Sequence, residues 1–223
     1  MVLTSSAVVT PLTSDVGYSL EDQLPVGQVA AFPYVILVNG DSPYQTLEDL
    51  LASGQGLKAA APGAASQGTL ELEAIKAAGA DMTLVPFDGT AGVKSALMGK
   101  QVDFGTAVID DDLLSQHEAG SMRILGVTSQ ERVDYLPDVP AVNEVAGFED
   151  LGAGTSYIGL VVKSGTPENV VTTLDDTLEG CLGKDEVTSI IGPQFVGEDY
   201  VDGPALQKAF AEQSETYSAV IGG

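Results

Sequence analysis

Short apolar runs alternate with helical patterns along most of this chain, and this alternation constrains the fold more than any other feature. Apolar runs such as residues 35–38, 57–61 and 82–85 each end at a turn rich in Gly, Pro, Asn or Asp, or at a loop of small residues. A stretch with helical spacing follows, and glycine closes several of these stretches. Repeated units of strand followed by helix predict an α/β fold.

The same turn residues predict where the individual strands and helices lie. Strands are expected at residues 35–38, 57–61, 82–85, 102–107, 123–127 and 157–162. Helices are expected to begin at Thr46 with a capping box to Asp49, at Ser66 or Gln67, at Thr90, near Asp111, and at Thr166 with Pro167 in the first helical position. A last helix is predicted from the apolar stripe of Leu206, Phe210, Gln213, Tyr217 and Val220.

Composition excludes several functional classes. Hydrophobic residues make up 44% of the 223 residues, which argues against a disordered chain. There are 9 Lys and Arg against 32 Asp and Glu, for a net charge of -23. Such a chain lacks the basic side chains that bind a nucleic-acid backbone. Because salt screens the self-repulsion of an acidic surface, a saline environment is a working hypothesis.

The sequence contains no segment suited to cross a membrane. Its longest apolar run, residues 29–38, is ten residues long and contains Pro33, whereas a spanning helix needs about 20 apolar residues. Residues 1–10 lack the Lys or Arg that opens a secretory signal. The single cysteine, Cys181, allows no internal disulfide and follows a helical apolar pattern, which predicts a small core residue.

Two turns between a strand and a helix are candidate anion sites. Residues 62–66 and 86–90 each place small residues before a helix start, where unpaired N–H groups and the helix dipole attract a carboxylate or phosphate. Turns of this composition are also common as plain connections. The residues alone therefore leave both interpretations open.

A serine esterase is the alternative function. Residues 64–68 resemble a nucleophile elbow around Ser66, with Ala64 in place of the first glycine. His117 is the only histidine, and it follows Asp110, Asp111 and Asp112, so the order Ser, Asp, His is formally present. The three aspartates lack the alternating spacing of a cation loop and suit a solvated helix start, so no metal or cofactor is expected.

A series of motifs resembles one known family, the extracytoplasmic solute-binding proteins of tripartite tricarboxylate transporters. The most specific stretch is Arg132 followed by Leu-Pro-Asp-Val-Pro-Ala at 136–141, Glu144 and Gly147. Supporting matches are Val-Pro-Phe-Asp-Gly at 85–89, Gly-Lys-Gln-Val-Asp at 99–103, Ser-Gly-Thr-Pro at 164–167 and Gly-Ala-Ala-Ser at 63–66. The resemblance covers essentially the whole chain.

The resemblance implies a fold like that of type II periplasmic-binding proteins, with two lobes that close on a ligand in a cleft. Residues 1–38 and 156–223 would form the first lobe and residues 39–155 the second, with hinges near residues 39–40 and 155–156. The implied function is to capture a small organic carboxylate outside the cytoplasm, without chemistry, and to deliver it to membrane permease subunits. The implied receptor is a monomer.

The resemblance also implies a set of ligand-binding residues. In this family, backbone and hydroxyl groups at loops and helix starts hold the carboxylate. Ser5 and Ser6 correspond to a hydroxyl pair in the first lobe, and Tyr157 to an aromatic residue where the chain returns to it. The second lobe would contribute Gly63, Ala64, Ala65, Ser66, Gln67, Asp88, Gly89, Thr90 and Thr106.

Two departures from the family pattern modify these expectations. Asp88 stands where the family has Lys, which moves the local charge against an anion by two units and allows a polar, amino-bearing or less charged ligand. Residues 1–6 correspond to an interior strand of the family, so the first lobe is expected to be incomplete, with an open sheet edge. We therefore expect the chain alone to bind ligand weakly.

Overall fold

The computed structural model describes residues 1–53, 56–64, 66–149, 151 and 154–222, with the side chain of Ser6 left out. The chain forms two compact units, a first unit of residues 1–32 with 156–222 and a second unit of residues 33–155. The chain thus passes from the first unit to the second at residues 32–33. Residues 33–38, which were expected in the first lobe, therefore lie in the second unit. The expected hinge at 39–40 also lies inside the second unit. The reason is that the strand containing these residues pairs there with two neighbours.

The described residues contain seven strands, six of which overlap the predicted apolar runs, while the first was not predicted. These are β1 (Val2–Thr4), β2 (Gln23–Asn39), β3 (Leu57–Ala61), β4 (Met82–Pro86), β5 (Phe104–Val108), β6 (Met122–Val127) and β7 (Thr155–Lys163). Nine α-helices are described: α1 (Ser6–Thr13), α2 (Leu47–Leu51), α3 (Gln67–Ala77), α4 (Gly89–Met98), α5 (Asp111–Glu118), α6 (Glu168–Leu182), α7 (Asp185–Ile191), α8 (Pro193–Val196) and α9 (Gly203–Gly222). Short 3-10 turns lie at Leu20–Asp22 and Val142–Glu144. The predicted α/β class is confirmed.

The second unit is built on a mixed sheet in the order β6, β2, β5, β3, β4. Strands β3, β4 and β5 are parallel, with Ala61 opposite Pro86 and Ala60 opposite Gly105. Strand β2 runs antiparallel to both β5 and β6. The core includes the fully buried Ile36, Leu72 and Phe104, so the central strands have apolar side chains packed against helices.

The first unit contains β1 paired antiparallel with β7, which also neighbours β2. Helices α1 and α9 pack together through Val8, Leu206 and Phe210. The predicted stripe of α9 is confirmed, because Leu206, Phe210, Gln213 and Tyr217 are all buried. None of the described helices combines the length and the apolar character that a membrane crossing requires.

Three element predictions need correction. The predicted 35–38 strand is the end of a 17-residue strand, β2, which continues through Pro25 and Pro33. Helix α6 begins at Glu168 with Pro167 as its N-cap, because the Thr166 hydroxyl donates to the Lys163 carbonyl at 2.7 Å instead of capping the helix. Cys181 is half-buried rather than a core residue, since α6 leaves most of its surface exposed.

Candidate functional site

The candidate site of the second unit lies where three parallel strands end. The chain leaves β3, β4 and β5 at the same sheet edge and enters α3, α4 and α5 there. The amide of Phe87 donates to the carbonyl of Ala61 at 2.8 Å, so the turns after β3 and β4 start side by side. This arrangement places the two anion-binding turns at one edge of one sheet.

The helices that follow these turns pack on opposite faces of the sheet. A Cβ atom on Gly105 would lie 2.8 Å from Val93 of α4, whereas the Thr106 methyl group lies toward Gly68 of α3. Successive residues of a strand face opposite sides, so α3 and α4 flank β5 on different faces. The connection from β3 to β4 and the one from β4 back to β5 run in opposite directions. Parallel sheets commonly bind ligands where the connections reverse in this way.

The start of α3 is built by a short hydrogen-bonded loop. Gly63 has φ +115°, a conformation that favours glycine, and its carbonyl accepts the Thr69 hydroxyl at 2.6 Å. The Ser66 hydroxyl accepts from the Thr69 amide at 3.2 Å, which confirms Ser66 as the N-cap. Ala65 lies outside the described residues. The loop therefore presents the first turn of an 11-residue helix to the sheet edge.

Only some of the amides at this helix start remain for a ligand. The Thr69 amide is bound to Ser66, and the Gly68 amide lies near the Tyr34 hydroxyl, where it lowers the pKa of that phenol. The Gln67 amide has no acceptor among the described residues. Burial raises the pKa of Tyr34 to about 12, with a further increase from the nearby negative charge of Glu71. Tyr34 thus stays a neutral phenol.

The start of α4 differs from the prediction. The N-cap residue is Asp88, not Thr90, and its side chain makes no capping hydrogen bond. The cap thus lies two residues earlier than predicted, and Gly89, with φ +62°, is the first residue of the helix. The exposed Asp88 carboxylate therefore lies at the helix start, where it opposes an approaching anion.

Thr106 of β5 is buried beneath the first turn of α3. Its hydroxyl is inaccessible to solvent and has no hydrogen-bond partner among the described residues. A buried hydroxyl left without a partner costs free energy, so such atoms commonly mark a site for a ligand or an ordered water. The observation fits the assignment of Thr106 to the ligand-binding set, which stays a prediction.

The candidate residues of the first unit are engaged with one another. The Ser5 hydroxyl accepts from the Tyr157 amide at 2.8 Å, and the Ser5 amide donates to the Tyr157 carbonyl at 3.0 Å. Ser6 starts α1, and its side chain lies outside the description. A groove of about 800 Å³ in this unit is lined by β1, Tyr18 and Lys163, but not by Ser5 or Tyr157. The ligand-binding role of these residues stays a prediction.

The esterase alternative is not supported by the positions of Ser66 and His117. Ser66 follows β3 at its carboxyl end, whereas the His117 Nδ1 atom accepts the amide of Ile124 at 3.2 Å, near the start of β6. Because β6 runs parallel to β3, the two residues lie at opposite sheet edges, about 16 Å apart along a five-residue strand. The structure does not bring Ser66 and His117 together.

Sequence analysis missed a buried polar group next to the site. Tyr34, Glu71 and Thr128 are all less than a tenth exposed, and they converge on Gly154. A Cβ atom on Gly154 would lie 2.6 Å from the Glu71 carboxyl carbon and would overlap the Thr128 hydroxyl. The one available signal was Glu71 itself, a charged residue between Leu70 and Leu72 in an otherwise apolar stretch of α3.

Comparison with known proteins identifies the family. A sequence profile described as "Tripartite tricarboxylate transporter family receptor" matches residues 1–222. The chain belongs to this family. It is 31% identical over 180 residues to a UPF0065 protein of Bordetella bronchiseptica, an alignment that covers 77% of this chain and 51% of that protein. The chain spans about half the length of the curated relatives it matches.

Solved structures confirm the fold expected from the resemblance. A TctC solute-binding protein from Polaromonas matches with a TM-score of 0.86 at 24% identity, over 99% of this chain and 76% of that chain. The R. palustris protein Rpa4515 with adipate matches with a TM-score of 0.79 at 24% identity, also over 99% and 76%. This receptor chain therefore has the fold of periplasmic solute-binding proteins.

Proposed function

We propose that this chain is the ligand-binding part of an extracytoplasmic receptor, which captures a small carboxylate for the permease subunits of a tripartite tricarboxylate transporter. The observation that carries the proposal is the start of α3, where the Ser66 cap and the Gly63 loop present the Gln67 amide at the sheet edge. Membership of the receptor family and the adipate in a protein of the same fold support this function.

The binding energy must come from local dipoles. The charged side chains at this edge include Asp88, Asp110 and Asp112, and the nearby Lys94 ammonium is paired with Asp112 at 2.6 Å and Asp110 at 3.5 Å. A helix start carries roughly half a positive charge. A hydrogen bond from an amide to a carboxylate contributes about 1.5–3 kcal/mol, so such a bond together with the helix dipole can supply weak binding without a basic side chain.

The Gln67 amide can be tested separately from its side chain. Gln67→Pro removes the N–H at the first helical position, where proline is tolerated, and Ser66 already has the extended conformation that precedes proline. Gln67→Ala keeps the amide and is the matched control. In an NMR titration with adipate, which detects millimolar binding, Gln67→Pro should bind about tenfold more weakly than Gln67→Ala. Equal affinities would contradict the proposed role of the amide.

Asp88 allows the charge of the ligand to be tested in the same titration. We expect 6-aminohexanoate, which has one carboxylate and one ammonium group, to bind better than adipate. Asp88→Asn should reduce this preference by removing the negative charge at the start of α4. If Asp88→Asn and the unmodified chain prefer 6-aminohexanoate over adipate to the same degree, Asp88 does not face the ligand.

Ser66→Ala separates the receptor from the esterase alternative. In a receptor the substitution should weaken binding by about 1 kcal/mol, the net value of one hydrogen bond. In an esterase it would abolish hydrolysis of an activated ester such as p-nitrophenyl acetate. Hydrolysis by the unmodified chain that depends on Ser66 would overturn the receptor proposal.

A further inference from the structure

The chain passes between its two units at residues 32–33 and 155–156, and the residues just inside the second unit are tied together. The Tyr34 amide donates to the Gly154 carbonyl at 2.7 Å, the Gly154 amide to the Thr128 carbonyl at 2.8 Å, and the Thr128 amide to the Tyr34 carbonyl at 2.9 Å. We refer to residues 33–34 and 154–155 as the crossing segments. One backbone hydrogen bond thus joins the two crossing segments to each other, and two more join them to Thr128.

The Thr128 side chain reinforces this junction. Thr128 is 1% exposed. Its hydroxyl donates to the Gly154 carbonyl at 2.7 Å and to the Tyr34 carbonyl at 3.1 Å. One hydroxyl proton is therefore shared between the two crossing segments. Gly154 has no room for a Cβ atom, because Thr128 and Glu71 fill that space. The close packing leaves these segments little freedom to move independently of Thr128.

The first turn of α3 is tied to the same two segments. The Gln67 side-chain amide donates to the Thr155 carbonyl at 3.0 Å, and Gly68 packs so closely against the Tyr34 ring that a Cβ atom there would lie 2.8 Å from Tyr34 Cε1. Gln67 is 3% exposed, so its side chain lies inside the protein while its backbone amide lies at the helix start. The turn that we propose to bind the carboxylate thus contacts both crossing segments directly.

We propose that Gln67 and Thr128 are positioning residues that fix both crossing segments to the first turn of α3. A shift of this turn is then passed to the two places where the chain runs between its units. The consequence for ligand binding rests on the proposed function, since it requires a carboxylate at the start of α3. The hydrogen bonds of Gln67 and Thr128 with the crossing segments, which we call the tie, do not depend on any ligand.

Hydrogen exchange of the full chain without ligand tests the tie. Gln67→Met keeps the length of the side chain and removes its donor, and Thr128→Val keeps the shape and removes the hydroxyl. Each should speed exchange of the Tyr34 and Gly154 amides about fivefold, the effect of one hydrogen bond of ordinary strength. The Ile36 amide, in the centre of the sheet, should be unaffected. In Thr128→Ser, which keeps a hydroxyl at this position, the Tyr34 and Gly154 amides should exchange as slowly as in the unmodified chain.

The controls make each outcome decisive. Lys76→Ala, an exposed change in the last turn of α3, should leave exchange at the crossing segments unchanged. Unchanged exchange in both Gln67→Met and Thr128→Val would overturn the proposal, and so would failure of Thr128→Ser to restore it. Equal acceleration at Ile36 would mean general destabilisation and would overturn it too.

Adipate then tests the link to binding by NMR. If adipate shifts the Gln67 and Gly68 amide signals, the Tyr34 and Gly154 signals should shift with the same dissociation constant, and Gln67→Met should uncouple them. Shifts confined to the start of α3 would refute the coupling. If adipate binds nowhere near α3, the proposed function fails for this ligand, while the exchange data still decide whether the tie exists.

Discussion

Replacement of Gly68 by alanine should destabilise the protein, although alanine is the better helix former. Gly68 is the second residue of α3 and lies against the candidate site. A Cβ atom there would lie 2.8 Å from Tyr34 Cε1, 2.9 Å from Pro62 Cγ and 3.0 Å from Thr106 Cγ2. All three neighbours would have to move, and two of them, Tyr34 and Thr106, are themselves buried.

The magnitude follows from two opposing effects. Alanine in a helix gains up to about 1 kcal/mol over glycine. Overpacking a buried contact costs about 1–3 kcal/mol. The three neighbours at 2.8–3.0 Å place the cost in the upper part of this range. The cost exceeds the gain, and we expect a net loss of about 1–2 kcal/mol.

Gly180 provides a matched control for the same chemical change. It lies in α6, is exposed, and a Cβ atom there would meet no heavy atom within 4 Å. Gly180→Ala should therefore stabilise the chain by about 0.5–1 kcal/mol through helix propensity alone. Urea denaturation followed by circular dichroism would measure both variants. If Gly68→Ala raised the midpoint as Gly180→Ala does, the packing described around the start of α3 would be wrong.

Two further predictions concern pH and salt. Arg132 and the Ala141 amide lower the pKa of Glu144 from 4.5 to about 2, so this carboxylate stabilises the fold above pH 4.5 and the contribution is lost as the pH falls toward 2. Melting temperatures between pH 5 and 2.5 should fall less steeply in Arg132→Ala than in the unmodified chain, and parallel curves would contradict this. Because the net charge is -23, an increase of NaCl from 0.1 to 1 M should raise the melting temperature. A lower melting temperature at 1 M NaCl would show that charge repulsion does not limit the stability.

Local signals in the sequence were sufficient for the helix starts that use side-chain caps. Thr46 and Ser66 cap α2 and α3 as predicted, because a cap depends on residues within four positions of one another. The α9 stripe was predictable for the same reason. Helices without such signals were missed. Helix α1 contains Pro11, and α7 and α8 are separated only by Gly192.

Features held by distant parts of the chain could not be predicted. Strand β2 includes Pro25, Gly27 and Pro33, which individually argue against a strand, and it is maintained by pairing with β7, β5 and β6. The buried junction joins Tyr34, Thr128 and Gly154, which are widely separated in sequence. No local pattern marks such a junction, since each of its hydrogen bonds exists only once the sheet has formed.

An acidic protein can bind an organic acid because the two electrostatic effects act over different distances. The repulsion by 32 acidic side chains is spread over the whole surface, and salt at physiological concentration screens it beyond about 8 Å. A hydrogen bond from the Gln67 amide acts at about 3 Å, within the screening length and in a partly desolvated loop. In the receptor proposed above, the local donor would therefore determine whether a carboxylate binds, while the overall charge would mainly slow its approach. We expect the Asp88 carboxylate, at the same sheet edge as this donor, to select among acids by their second charged group.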